Sequence, residues 1–422
     1  MTASGQTQRE VRREPAPVPL SGPRFHGDPH RLYHEMRREH GPVVAVELPG
    51  GFPAWLVIGY REMHQVTSDP ELFPRDVGMW NQWPNIPEDW PLRPMIGTPM
   101  PSIYFTAGAE HRRHVAMVEP ALDSVDPFAL RRTCEDLADR LIDGFCGKGE
   151  ADLVAQYAEP LPVLALAWIL GFPDEDGPRL AWTLKALADG GADAQAAYGQ
   201  FMGHMQNLVA ATKALPLDNL VSRMLSHGHA FTDEEYANDL MAITAAGHLP
   251  TADWIGNSVR LMLTDDRFAA ALGGGRHSVG QAMNEVLWED TPTQILAGRW
   301  AARDTRLGDR AIRRGDMLLL GLAAANADPH VRQHASDSVE PAYSGNCAHF
   351  AFSHGEYRCP FPAQQIAEII ARTGIEVLLD RLPDIDLSVP AQALVRRPSA
   401  FLRGMTSLPV RFTPVRAVGG TP

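Results

Sequence analysis

Phe352-Ser353-His354-Gly355-Glu356-Tyr357-Arg358-Cys359-Pro360 sets one cysteine after a glycine turn and ahead of an apparent helix. A thiolate there faces the unpaired N–H groups of the helix start, which favour an anion and suit the sulfur to metal ligation or nucleophilic attack. The alternative is an inert cysteine packed as a small hydrophobe. Which of the two holds depends on the rest of the chain.

The chain has 422 residues, 45% of them hydrophobic and 21% charged, the balance of a globular protein with a sizeable core. Length alone suggests about three domains, but one continuous pattern fills the chain and overrides that prior. A net charge of -13 argues against nucleic acid or an anionic membrane surface as partner. Cys134, Cys146, Cys347 and Cys359 form no C-x-x-C pair and follow no secretory signal, so a reducing cytoplasm is expected. The longest apolar stretch, Val163 to Leu170, falls far short of the roughly 20 residues of a membrane span.

Residues 1–22, with Pro15, Pro17 and Pro19, read as a flexible arm, residues 23–414 as a single domain and residues 415–422 as a tail. Leu32, Tyr33 and Met36 predict a helix over 30–40. Val43–Val46 and Ala54–Ile58 predict a hairpin around Pro49-Gly50-Gly51. Residues 76–104 lack periodicity and are dense in proline, tryptophan and methionine, which suits either a cover for a large apolar ligand or a loop packed on its own core. Helix follows helix from Ala107 to about Met262, with breaks at Gly171-Phe172-Pro173, Gly190-Gly191 and His227-Gly228. The longest runs from Thr232, its N-cap, to Leu263. Pro250 within it should kink or open it. Residues 297–322 look strand-rich and Gln364 to Leu379 helical.

Five motifs in order give this chain a resemblance to the bacterial soluble cytochromes P-450, haem-thiolate monooxygenases, from about residue 25 to 412. Phe352-x-x-Gly355-x-x-x-Cys359 is similar to the family's cysteine loop, and Asn346-Cys347-Ala348-His349-Phe350-Ala351 leads into it. Gly108-Ala109-Glu110-His111-Arg112-Arg113 resembles the start of the family's helix C. Arg299-Trp300-Ala301-Ala302-Arg303-Asp304 resembles the family's propionate-binding strand, Arg314-Gly315-Asp316 its turn, and Ala325-Asn326-Ala327-Asp328-Pro329 the family's Ala-Asn-Arg-Asp-Pro stretch. Ala246-Gly247 falls on the oxygen-binding groove. The resemblance implies a mainly α fold with small β regions and haem b between the long helix and the cysteine loop. It makes Cys359 the axial iron ligand, whose sulfur pushes electron density onto the metal and favours O–O cleavage. It implies propionate contacts from His111, Arg113 and Arg299, shared with Tyr357 or Arg358, arginine meeting a carboxylate bidentately. Gly247 and Thr251 would line the groove, with Thr251, His248, ordered water or substrate passing protons.

The departures are specific. The family's helix K reads Glu-x-x-Arg; this chain has Glu285-Val286-Leu287-Trp288, and no arginine lies between Gln333 and His349 to act as the meander partner. Joint loss suggests a replaced device, with Trp288 packing where an ion pair stood, as in an actinobacterial subset with Glu-x-x-Trp. The groove's acid and threonine are Leu249 and Pro250, which pass no proton. Tyr357 replaces the usual His or Arg, and Phe361 the glycine two residues after the ligand.

Rival sites are weaker. His111 and His114 share a helix face with no third ligand nearby in sequence, so zinc is not expected. Gly273-Gly274-Gly275 lacks the Lys-Ser or Lys-Thr of a phosphate loop, and no G-x-S-x-G elbow occurs. Tyr198, Phe201, Met202 and Met205 suit either core or a lid over substrate. The expectation is an oxidoreductase of bacterial specialised metabolism acting on a small molecule or peptide, a bulky aromatic or peptide substrate being the leading class, by hydroxylation or aryl crosslinking. Ferredoxin and ferredoxin reductase, or peroxide, would drive it. The alternatives are a peroxygenase and a haem-binding sensor or partner with little turnover.

Overall fold

A computed structural model describes residues 16–90, 92–96, 100–173, 176–189, 194–228, 230–265, 268, 276–332 and 346–419. The expected break at Gly190-Gly191 and the Gly273-Gly274-Gly275 loop lie outside them. Strand β1 (Val18–Pro19) comes first, then helix α1 (Pro29–His40), capped by the Asp28 carboxylate, which accepts the Arg31 N–H at 3.0 Å. The hairpin comes next as β2 (Val43–Leu48) and β3 (Phe52–Val57), then α2 (Tyr60–Ser68). The helical half contains α3 (Gly108–Asp123), α4 (Pro127–Asp143), α5 (Pro160–Leu170), α6 (Ala194–Ala214) and α7 (Asp233–Thr264). Helix α8 (Arg276–Glu289), β4 (Leu296–Trp300), β5 (Met317–Leu320) and α9 (Phe361–Arg381) complete the frame.

The main sheet has the order β1-β2-β3-β5-β4. β2 and β3 pair antiparallel with Val43 opposite Val57, whereas β3 and β5 pair parallel with Trp55 beside Leu318. One apolar cluster surrounds this sheet, including Leu56, Trp300 and Leu319. A larger one fills the space between α4, α5, α7 and α9, centred on Leu161, Ile255 and Ile375. Close-packed burial of this kind is the main force that holds such layers together.

Three expectations need correction. The predicted arm contains β1, which pairs parallel with β2 and buries Leu20 beside it. The predicted tail is tied down, because the Val418 and Gly419 N–H groups donate to the Asp143 carboxylate at 3.0 and 2.9 Å. Helix α7 runs unbroken through Pro250 for 32 residues, begun by a reciprocal cap in which Thr232 and Glu235 bond each other's backbone N–H. Proline there removes one bond, but twenty of the helix's residues are buried against neighbours on several sides, and that packing holds it through the gap.

Candidate haem-thiolate site

The cysteine loop is a sequence of tight turns. The Ser353 N–H donates to the Phe350 carbonyl at 2.7 Å, Arg358 N–H to Gly355 at 3.2 Å, and Cys359 N–H to Phe352 at 3.0 Å. Gly355 has φ +75°, and a Cβ there would stand 1.9 Å from the Thr67 carbonyl of α2, so only glycine fits. Helix α9 starts two residues after the thiol. Burial nevertheless pushes the Cys359 thiol up to about 12, against the pull of Arg358 and Arg75. A bound metal cation is what would ionise such a thiol.

Beside the loop stand two buried guanidiniums. The β4 strand carries a bulge between Ala297 and Arg299, with Gly298 at φ +120°, and the bulge turns Arg299 inward. Arg299 is wholly buried; Nη1 donates to the Gly298 carbonyl at 3.0 Å, while Nε and Nη2 have no partner. Arg75 is also buried; Nη2 donates to the Tyr357 carbonyl at 3.0 Å, and Nε is unpartnered. The Tyr357 ring lies between them, 4.6 Å from the Arg299 guanidinium carbon and 5.3 Å from that of Arg75. The His111 ring is 4.7 Å from Tyr357, and its nitrogens lie 3.0 Å from the Ile103 carbonyl and 3.3 Å from the Glu356 carbonyl, only one of which a neutral ring can donate to. Burial and the nearby Arg75 push His111 down to about 4, so it is neutral. Buried charges and buried donors are normally paired. Two cations with three open donors, next to a half-buried thiol, fit a group carrying both a thiolate-seeking metal and carboxylates: haem with its propionates.

Arg75 lay in no motif, and no periodic or spacing signal in the sequence points to it. Arg113, by contrast, stands apart from this cluster. It pairs with Glu110 at 2.9 Å and with Glu235, and lies 4.2 Å above the Phe231 ring. Arg358 is exposed.

Helix α7 presents the groove differently from the sequence reading. Ala245 and Ala246 are exposed in mid-helix, with Leu249 and Pro250 half-buried beside them. A Cβ on Gly247 would meet Leu166 of α5 at 3.2 Å, and His248 Nε2 pairs with the Glu159 carbonyl at 3.1 Å. Thr251 is buried and lies three and four residues on from these, hence on their side of the helix, facing α5. Gly247, His248 and Thr251 therefore share the face turned from the open stripe. The stripe's next position along the helix is Asp253, four residues beyond Leu249. It is buried, its Oδ2 is unpartnered, and Arg397 is 3.6 Å away. Burial pushes this carboxyl up to about 7, against the pull of Arg397.

Trp288 is fully buried; its indole N–H donates to the Asn346 carbonyl at 3.1 Å and its ring meets His349 edge-on at 5.7 Å. It thus links α8 to the segment leading into the cysteine loop. Residues 333–345, most of the stretch without arginine, lie outside the described residues. Two positions on, Asp290 is gripped by Arg260 at 3.1 Å, Arg396 at 2.5 Å and Arg403.

Much of the loop over 76–104 packs on the sheet cluster. Trp80 and Trp90 are buried with ring centroids 5.8 Å apart, and the Trp90 N–H donates to the Pro49 carbonyl at 2.7 Å. Val77, Ile96 and Tyr104 line a small cavity with Arg75 and Trp300. On α6, Phe201 and Met205 are core, while the Tyr198 hydroxyl reaches the Met100 sulfur at 3.2 Å.

Among the described residues no helix is long and apolar enough to cross a membrane. No family model matches the chain. It is similar to the vitamin D(3) 25-hydroxylase of Pseudonocardia autotrophica, 30% identical over 398 residues, 92% of this chain and 95% of that protein. It is likewise 30% identical over 400 residues to cytochrome P450 107B1 of Saccharopolyspora erythraea, covering 92% and 96%. The solved structure of CYP154C4 from a Streptomyces species superposes with a TM-score of 0.85 at 27% identity, over 94% of this chain and 99% of that one. With the cysteine loop, the buried arginine pair and the long helix in one frame, this chain belongs to the cytochrome P-450 family and is a monooxygenase-class oxidoreductase that uses haem.

Proposed function

We propose that this enzyme carries haem b on Cys359 and oxidises a bulky aromatic or peptide substrate in bacterial specialised metabolism, by hydroxylation or aryl crosslinking. The observation that carries the haem assignment is the Arg75–Arg299 pair around Tyr357, with open donors beside the Cys359 loop. Arg299 and Arg75 would take the propionates, with His111 and Tyr357 fixing the ring edge. Haem, when bound, supplies oxidation of an unactivated or aromatic carbon. The chain's own part is to hold that group in a dry site and to admit substrate along the Ala245, Ala246, Leu249 and Pro250 stripe. Ala245 and Ala246 on that stripe leave room for a wide substrate.

Reduced protein exposed to carbon monoxide should give the thiolate-type absorption shift, and Cys359→Ser should lose it. An unchanged shift in that variant would overturn the ligand assignment. Short aromatic peptides should perturb the haem spectrum on titration. Silence to all of them, alongside tight binding of small terpenes or fatty acids, would overturn the substrate class.

One observation favours a second reading, peroxide-driven turnover: the open stripe of α7 carries no acid or hydroxyl before Asp253. Product formed with peroxide but not with ferredoxin, ferredoxin reductase and dioxygen would select it. Product from neither would leave a haem sensor or partner.

A further inference from the structure

The histidine that lacks a third metal ligand in sequence gains one from another helix. His114 of α3 is wholly buried; its Nδ1 pairs with the Asp239 carboxylate of α7 at 2.6 Å, and its Nε2 has no partner. Nε2 lies 4.0 Å from a Glu235 carboxylate oxygen, also on α7. Glu110, one turn before His114, adds its carboxylate, and one ligand atom from each of the three falls within 4.8 Å of the others. Ligands held at about 2.0–2.2 Å around a four-coordinate zinc ion lie about 3.4 Å apart, so the side chains close by about an ångström on binding one.

We propose that Glu110, His114 and Glu235 form a zinc site that joins α3 to the start of α7. Four details support it. A carboxylate on Nδ1 fixes the tautomer and leaves the lone pair of Nε2 directed at the ion, the arrangement found behind metal-bound histidines. Glu235 uses one oxygen for the Thr232 N–H and gives the other to Arg113, whose place the ion would take. One imidazole, two carboxylates and a water make a four-coordinate set suited to zinc. Finally, the position is already cationic: Arg113 bridges Glu110 and Glu235, and its side chain is 25% exposed, so it can turn out to solvent while the ion takes over its charge. The site is distinct from the arginine pair beside Cys359 and stands whether or not the proposed substrate is right.

Zinc chloride titrated into the holoenzyme against a chromophoric chelator tests this, in a Cys347→Ser background because Cys347 is an exposed thiol. One zinc per chain should bind and raise the unfolding temperature. Glu110→Gln, at an exposed position that leaves folding intact, should weaken binding at least about 10-fold, and Asp239→Asn about 10- to 100-fold. Arg113→Ala, by removing the competing cation, should tighten it. Failure to bind one zinc per chain, or equal affinity in Glu110→Gln, overturns the site.

Discussion

Asp253 is an acid that its surroundings hold protonated well above the ordinary carboxylate range. Its folded-state pKa is raised to about 7, first by burial, so the neutral form is favoured in the folded chain. The stability this gives is fully present at low pH and is lost as pH rises from about 4 through about 7; the upper bound is about 4 kcal/mol for a shift of this size. Asp253→Asn should therefore flatten stability between pH 5 and 8, which urea unfolding at several pH values will show. At this scale the sequence told only part of the site. Cys359 and Arg299 sit in motifs whose spacing is local, so they were legible. Arg75 comes from a loop and reaches Tyr357 through the tertiary fold alone. Gly247, His248 and Thr251 fall in the same turns of α7 as the open stripe, but which side of a helix faces a cleft is decided by its neighbours, here Leu166 of α5 and Glu159 just before it.

Among elements, the α8-to-cysteine-loop link rests on Trp288. Trp288→Ala should cost about 3–5 kcal/mol through the cavity it leaves. Trp288→Phe keeps most of the packing and loses one hydrogen bond, about 1 kcal/mol. Denaturant midpoints of the two variants rank them directly, and a harmless Trp288→Ala would contradict this account. The start of α7 was readable because capping is a short-range device: Thr232 followed by acids in the first turn. Pro250 does not open α7, because its missing bond is a local fact, whereas the burial that carries the helix past it is not.

Over the whole molecule, Asp290 ties three distant segments, through Arg260 on α7 and through Arg396 and Arg403 near the C-terminus. Burial alone would raise its pKa, but the three arginines together hold it far below the carboxylate range. A depressed carboxylate contributes stability above about pH 4 that disappears as pH falls. Asp290→Asn should remove about 3–5 kcal/mol at neutral pH by leaving the arginines uncompensated, and should blunt the acid dependence of unfolding. The hairpin and the strand-rich stretch over 297–322 were both evident as strands, but not that they form one sheet, since pairing between remote segments leaves no mark in local pattern. That pairing also sets a timetable. Trp55 must wait for Leu318 before β3 gains its parallel neighbour. A ribosome adding about 5–20 residues each second leaves the edge of β3 bare for roughly tens of seconds. During that interval the nascent hairpin is an open template for other chains, so yield in a heterologous host should depend on chaperone supply and on slower, cooler synthesis.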